Sequence, residues 1–186
     1  ATPNHQMVIE STHDKTRFVA AKEFLNASTK DWRIPLTSKW EGVYPDTVYG
    51  IDPKAYVRVL GWYISEGNAN YQMTRSGRPS TGSFAISQSA RENTAKCLIL
   101  EEDLDAASIS WRKYERAYTL HAKSMPPLLR NELRSLGKVS NKHIPDHVLG
   151  YHSHLLRELL DALILGDGCT NARGHQTYFT TSKRLA

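Results

Sequence analysis

The sequence predicts an α+β fold, because helical and strand-like patterns alternate along the chain. Two segments, VLGWYISEG at 59–67 and LDALILGDG at 160–168, have apolar residues at helical spacing and end in an acid followed by glycine. Between them lie short runs separated by clusters of Ser, Gly and Pro, a pattern typical of hairpins. With 186 residues, of which 40% are hydrophobic, the chain is long enough for one sizeable domain.

The elements of this fold follow from their boundary signals. Asp52 and Pro53 provide an N-cap and a first-turn proline for the first motif helix. Ser153 is expected to cap the second motif helix, and Gly137 closes the helix before it. The remaining elements are expected to be a hairpin of 68–74 with 83–88, a helix over 90–103, strands over 109–114 and 116–121, a helix over 125–137 and a last hairpin over 170–181.

The two motif segments are copies of one pattern, at an offset of 101 residues (59 to 160). Each copy has small residues four positions apart, which share one face of a helix and let a second helix approach closely. We therefore expect the two helices to cross as pseudo-twofold mates, which would bring Glu66 and Asp167 side by side. The small residues are Gly61 and Ser65 in the first copy and Ala162 and Gly166 in the second.

Such a pair of carboxylates predicts a metal site. Two carboxylates about 4 Å apart repel by roughly 4 kcal/mol at an effective dielectric near 20, and a divalent cation removes that penalty. Oxygen ligands with room for water suit Mg²⁺ or Mn²⁺ and indicate metal-assisted phosphodiester hydrolysis. The alternative is that each acid is a solvated helix end, although a carboxylate there faces the unfavourable end of the helix dipole.

The charge of the chain favours a polyanionic partner such as nucleic acid, since the formal net charge is +5 and the pI is near 9.2. No apolar run approaches the ~18 residues of a membrane span, and no signal peptide is visible, so we expect an intracellular, cytoplasmic protein. The predicted strands carry polar and basic residues able to contact phosphates and base edges, or to form the solvated face of a sheet. They are Asn68, Asn70, Gln72, Arg75, Arg112, Lys113, Arg116 and Tyr118.

Over residues 50–186 the sequence resembles the LAGLIDADG homing endonucleases. VLGWYISEG and LDALILGDG resemble the two motif copies of that family, KHIPDHVL at 142–149 resembles its Lys-x-Ile-Pro element, and YFTTSKRLA resembles the segment after the second hairpin. Two departures are Glu66 in place of the commoner Asp and Asp161 inside the second motif.

The resemblance implies a function and a set of site residues. Glu66 and Asp167 would be metal-binding catalytic acids, and Lys142 a basic residue near the active site. The complete protein would be a monomer with a pseudo-twofold repeat that makes a double-strand break in DNA with Mg²⁺ or Mn²⁺. The family fold is an αββαββα repeat, and we expect its second copy to be truncated in this chain.

The first residues resemble a different module. Thr2-Pro3-Asn4-His5 resembles the Thr-x-x-His element of inteins, in which the His polarises the scissile amide and the Thr assists. We therefore expect residues 1–48 to be a β-rich part of an intein splicing domain, inserted in a host protein of prokaryotic or phage origin, and residues 49–186 to be the endonuclease. The alternative for Thr2 and His5 is an ordinary turn. Since Ala1 and Ala186 are not splicing residues, we expect a fragment that does not splice as written.

Two other functions stay open at this point. One is a non-cutting DNA-binding or RNA-splicing relative of the maturase kind, and the other is a decayed intein with an inert endonuclease. Cys97 and Cys169 lack ligand spacing, which favours ordinary thiols. The histidines at 143, 147, 152 and 154 match no zinc pattern and are expected to be polar positions around the connection between the modules.

Overall fold

The computed structural model describes residues 6–11, 16–26, 32–33, 40–70, 83–137 and 139–186. The chain divides into two compact units, Ala1–Trp40 and Glu41–Ala186, whereas the sequence suggested a boundary after residue 48. Both units contain helices and strands, which confirms the α+β class. Among the described residues, none of the helices is both long and apolar enough to cross a membrane.

The described residues of the first unit form a three-stranded antiparallel sheet and one short helix. Strand β1 (Gln6–Ser11) pairs with β2 (Thr16–Ala20) on one side and with β3 (Trp32–Arg33) on the other, and α1 (Ala21–Asn26) follows β2 directly. Ile9 is buried while its neighbour Val8 is partly exposed, as the period of a strand requires. Thr2 and His5 lie outside the described residues, so their splicing role stays a prediction.

The second unit follows the predicted order of helices and strands. Helix α2 (Pro53–Glu66) leads into β4 (Gly67–Asn70), β5 (Ser83–Ser87), α3 (Thr94–Ala106), β6 (Trp111–Lys113) and β7 (Ala117–Leu120). After them come α4 (Pro127–Ser135), a 3-10 turn at Val139–Asn141, α5 (Asp146–Leu149), α6 (Ser153–Asp167), β8 (Gly168–Thr170) and β9 (Gln176–Tyr178).

Three predicted helix starts are wrong by one to four residues, and helix α4 begins at Pro127 and not at 125. Helix α3 begins at Thr94 and not at 90, because Ser89 forms a turn in which its hydroxyl accepts from Glu92 N. The N-cap of α6 is His152 and not Ser153. The amide of His152 donates to Val43 O at 2.8 Å, which holds this residue outside the helix, and its ring accepts from the amide of His154. Asp52 caps α2 as predicted, accepting from Ala55 N at 3.0 Å.

The main sheet is four-stranded and antiparallel, with the order β4-β5-β7-β6. Alternate residues of its inner strands are buried in the core of the unit together with α2, α3 and α6. This buried face carries Phe84, Ile86, Tyr118 and Leu120. Strand register places the intervening residues on the opposite, more exposed face, where Asn68, Ala85, Thr119 and Arg112 form one row across the four strands.

Candidate active site

The two motif helices cross through small residues that are equivalent in the two copies. A Cβ added to Gly61 would lie 2.7 Å from the Cβ of Ala162, and one added to Gly166 would lie 2.4 Å from the Cβ of Ser65. Each of these pairs has the 101-residue offset of the repeat, so the contact has the pseudo-twofold relation that the sequence predicts. The Ser65 hydroxyl also donates to Leu163 O at 3.2 Å, which joins the two backbones near the acidic ends.

Glu66 and Asp167 are the last residues of α2 and α6, and both line one cavity of about 690 Å³. Each helix passes directly into a strand through a glycine whose backbone is extended. A Cβ at Gly67 would lie 2.4 Å from the Tyr63 ring, and one at Gly168 would lie 2.6 Å from the Cα of Ile164. The glycine after each acid is therefore required by space, because the chain leaves the helix against its own last turn.

Both acids in this cavity have raised pKa values, and two lysines oppose the shift in each case. Burial raises the pKa of Glu66, and the charge of Asp167 raises it further, while Lys142 and Lys96 lower it. Burial likewise raises the pKa of Asp167, against the opposing effect of the same two lysines. Gln88 donates to Glu66 Oε1 at 3.4 Å from a buried position. Lys96 and Gln88 have no motif around them that would have identified them from sequence.

Lys142 is a buried cation held by the end of α2. Its Nζ donates to Tyr63 O at 2.7 Å and to Gly67 O at 2.6 Å, and the residue is only 5% exposed. Burial lowers the pKa of Lys142 to about 8, although Asp167 and Glu66 act in the other direction. The carbonyl groups at a helix C-terminus carry partial negative charge, which favours a cation at this position.

Two further residues that the sequence did not indicate support the site, Ser182 through the backbone of Lys142 and Tyr178 in the lining of the cavity. Ser182 is 1% exposed and donates from its hydroxyl to Lys142 O at 2.6 Å, which fixes the backbone that carries the lysine. Tyr178 on β9 lines the cavity, and burial raises its pKa, opposed by a hydrogen bond with Ser65. The amide that follows it, Phe179 N, donates to Asp167 O at 3.0 Å and ties this hairpin to the end of α6.

The structure separates the predicted strand residues into two groups. Asn68 and Arg112 are exposed and share the open face of the sheet. Lys113 and Tyr118 pair in register on the helix side, where both donate to Glu101 Oε1, at 2.7 and 2.6 Å respectively. Arg116 is exposed in the turn between β6 and β7, and Asn70 ends β4, whereas Gln72 and Arg75 lie outside the described residues.

The four histidines between the modules have structural partners and do not converge. His143 lies 3.1 Å from Asn141 O, His147 lies 3.5 Å from Glu132, and His154 lies 3.8 Å from Glu158. Within the described ranges, no three or more His, Cys, Asp and Glu side chains come together as a metal-binding group. The carboxylates of Glu66 and Asp167 line one cavity as a pair, without a third such residue beside them among the described residues.

No family model matches the chain, and no curated protein matches it significantly. An assignment of function therefore depends on the residues described above.

Proposed function

We propose that this chain is part of a LAGLIDADG-type endonuclease that makes a double-strand break in a specific DNA site. The observation that supports this most directly is the crossing of two equivalent helices, which delivers Glu66 and Asp167 into one cavity. The same crossing relates the acids by a pseudo-twofold axis, and duplex DNA has a matching symmetry, since its two strands run in opposite directions. One acid is then available near each strand.

The donor set of the cavity fits a divalent cation that prefers oxygen. Burial and the neighbouring carboxylate both disfavour the ionised form of Glu66, and a divalent cation between the acids would offset that cost. Glu66 and Asp167 would hold Mg²⁺ or Mn²⁺, which when bound would supply Lewis-acid stabilisation of the charge that develops on the phosphate and the departing oxygen.

Lys142 would act as a fixed donor beside the scissile phosphate. An ammonium group has three N–H donors, and two of them are used by the carbonyl groups of Tyr63 and Gly67. The third would be offered to a phosphate oxygen in the cavity, which Lys142 lines. Because Ser182 holds the backbone carbonyl of Lys142 and the end of α2 holds its ammonium group, little reorganisation would be needed when the substrate arrives.

The open face of the four-stranded sheet would contact the DNA. It begins at Gly67, directly after the catalytic acid, and carries the exposed side chains of Asn68 and Arg112. Arginine and asparagine are the residue types that read guanine and adenine edges in the major groove. A sheet that starts at the cavity would therefore place base contacts next to the bonds to be cut.

The first experiment replaces each acid by its amide. In the complete protein of which this chain is proposed to be a part, Glu66→Gln and Asp167→Asn should each abolish cleavage of a plasmid library in Mg²⁺ and leave duplex binding largely intact. Asp161→Asn is the matched control, because this carboxylate lies on the same helix but pairs with Arg157 at 3.1 Å. Cutting by either amide variant at the wild-type rate would refute the assignment of the acids.

The alternatives are separate outcomes of the same experiment. Specific binding without cleavage in either Mg²⁺ or Mn²⁺ would support a non-cutting DNA-binding or RNA-splicing relative. The intein origin of the first unit is part of the proposal, and sequencing the flanks of the native locus tests it. Splicing residues at both junctions, next to a host protein, would support an intein, and splicing without cleavage would indicate a decayed endonuclease.

A further inference from the structure

A second cavity lies beside the cavity of the acid pair and has a different charge. Its volume is about 510 Å³, and Thr181 lines both cavities. We call it the cationic notch, and define it by two cationic and three polar residues. They are Ser140, Asn141, Thr181, Lys183 and Arg184.

The backbone of the cationic notch is fixed by the residue that also fixes Lys142. The buried Ser182 hydroxyl donates to Lys142 O at 2.6 Å and accepts from Arg184 N at 3.3 Å. The amide of Ser182 is held in turn by the Thr180 hydroxyl at 3.1 Å. The segments 140–142 and 181–184 are therefore held together by a hydrogen bond. Lys142 lines the cavity of the acid pair, whereas Lys183 and Arg184 line the notch.

The cations of the notch are accessible and only weakly neutralised. Lys183 and Arg184 are both exposed. Arg184 lies 4.0 Å from Asp146, but the side chain of Asp146 is 93% exposed, and ion pairs of that kind contribute little. A ligand that accepts hydrogen bonds from a guanidinium, an ammonium and hydroxyl or amide donors fits this set, and phosphate oxygens are such acceptors.

We infer that the cationic notch binds a backbone phosphate of DNA adjacent to the phosphate that is cut, an inference that rests on the proposed endonuclease function. The two cavities differ in charge and would therefore have different roles, one in catalysis and the other in affinity for DNA. A site that contains two carboxylates repels a polyanion until they are neutralised, so affinity has to come from cations close by. Through Ser182, the notch holds its phosphate in a fixed relation to Lys142.

The test compares Lys183→Ala/Arg184→Ala with a double variant that removes two positive charges elsewhere, Lys123→Ala/Arg157→Ala. Binding of a 30-base-pair duplex would be measured by fluorescence anisotropy from 50 to 250 mM salt. The slope of log K against log salt should become shallower by about 0.9 in the notch variant, as expected for one lost phosphate contact, and change much less in the control. All four side chains are exposed, and thermal melts would verify that the variants fold.

A second arm uses inorganic phosphate as the probe and backbone amide chemical shifts as the readout. Phosphate should shift the amides of 140–141 and 183–184 in the wild type but not in the notch variant. Duplex binding with equal slopes for the two double variants would overturn the notch and leave the endonuclease intact. Amide shifts with phosphate but no duplex binding would retain an anion site for free phosphate and refute both the DNA phosphate and the endonuclease. Neither signal would refute both proposals.

Discussion

Replacing Gly61 by alanine tests the close crossing of the motif helices, on which the site depends. The new Cβ would lie 2.7 Å from the Cβ of Ala162 and 2.9 Å from the carbonyl oxygen of Leu159. Carbon atoms in good contact are about 3.5–4.0 Å apart, so the helices have to separate by about 1 Å. The oxygen belongs to backbone and cannot rotate away, unlike the end of a flexible side chain.

Two effects of opposite sign decide the outcome. Alanine in a helix interior is more favourable than glycine by about 1 kcal/mol, and Gly61 lies in the middle of α2. Overpacking in a well-packed core costs about 1–3 kcal/mol, and a clash with backbone belongs in the upper part of that range. We therefore expect Gly61→Ala to lower the free energy of unfolding by about 1–2 kcal/mol.

Urea unfolding followed by circular dichroism measures this difference, with Gly150→Ala as the control. Gly150 has a φ of −82° that alanine adopts freely, and its Cβ would meet only His147 O, at 3.4 Å. That variant should change stability by less than about 0.5 kcal/mol. If Gly61→Ala were stabilising by the full helix-propensity gain, the helices would not be in backbone contact and the reasoning would be wrong. A shift of 1 Å between the acids should also reduce cleavage by about 100-fold.

Three further predictions follow from single contacts. The pKa of Lys142 is about 8 in the folded chain, below the ordinary lysine value of 10.5, so between these values the folded chain binds fewer protons than the unfolded chain. The free energy of unfolding should therefore rise by about 2 kcal/mol from pH 7.5 to 9.5. Lys142→Met should remove that rise, and a wild-type curve as flat as that of the variant would contradict it. Arg112→Ala should weaken duplex binding and reduce the slope of log K against log salt by about 0.9. Lys113→Ala, which removes the same charge from the helix side of the sheet, should leave that slope unchanged. Equal slopes for the two variants in a binding titration would refute the assignment of faces. Asp103→Ala should cost about 2 kcal/mol in chemical unfolding, because it leaves Arg58 Nε and the Trp62 N–H without an acceptor, although Arg58 Nη1 keeps its ion pair with Glu158. A loss below about 0.5 kcal/mol would show that these two donors find other partners.

The order of elements was accessible from the sequence because it depends on local signals. Asp52 with Pro53 starts α2, Gly137 ends the region of α4 in a left-handed conformation, and the repeat predicts which residues of α2 and α6 are equivalent. The start of α6 was missed because a longer-range contact fixes the chain there. This contact is the bond from His152 N to Val43 O, so a segment more than 100 residues away determines where α6 begins.

Only some residues of the candidate site could be predicted from the sequence. Glu66 and Asp167 could be predicted because the helix dipole disfavours a carboxylate at a helix C-terminus, and both copies of the repeat have one there. Gln88 and Ser182 could not, because the hydrogen bonds that connect them to Glu66 and Lys142 depend on the packing of distant segments. No spacing in the sequence records such a bond.

By itself the sequence determined the α+β class, the two equivalent helices and the two acids at their ends, because periodicity, caps and small-residue spacing are local properties of the chain. Only the tertiary structure decided that Arg112 lies on the open face while Lys113 binds Glu101, since the strand register sets which side chains share a face. It also decided that Lys142 is buried with a pKa of about 8, because desolvation depends on every segment that packs around the amine.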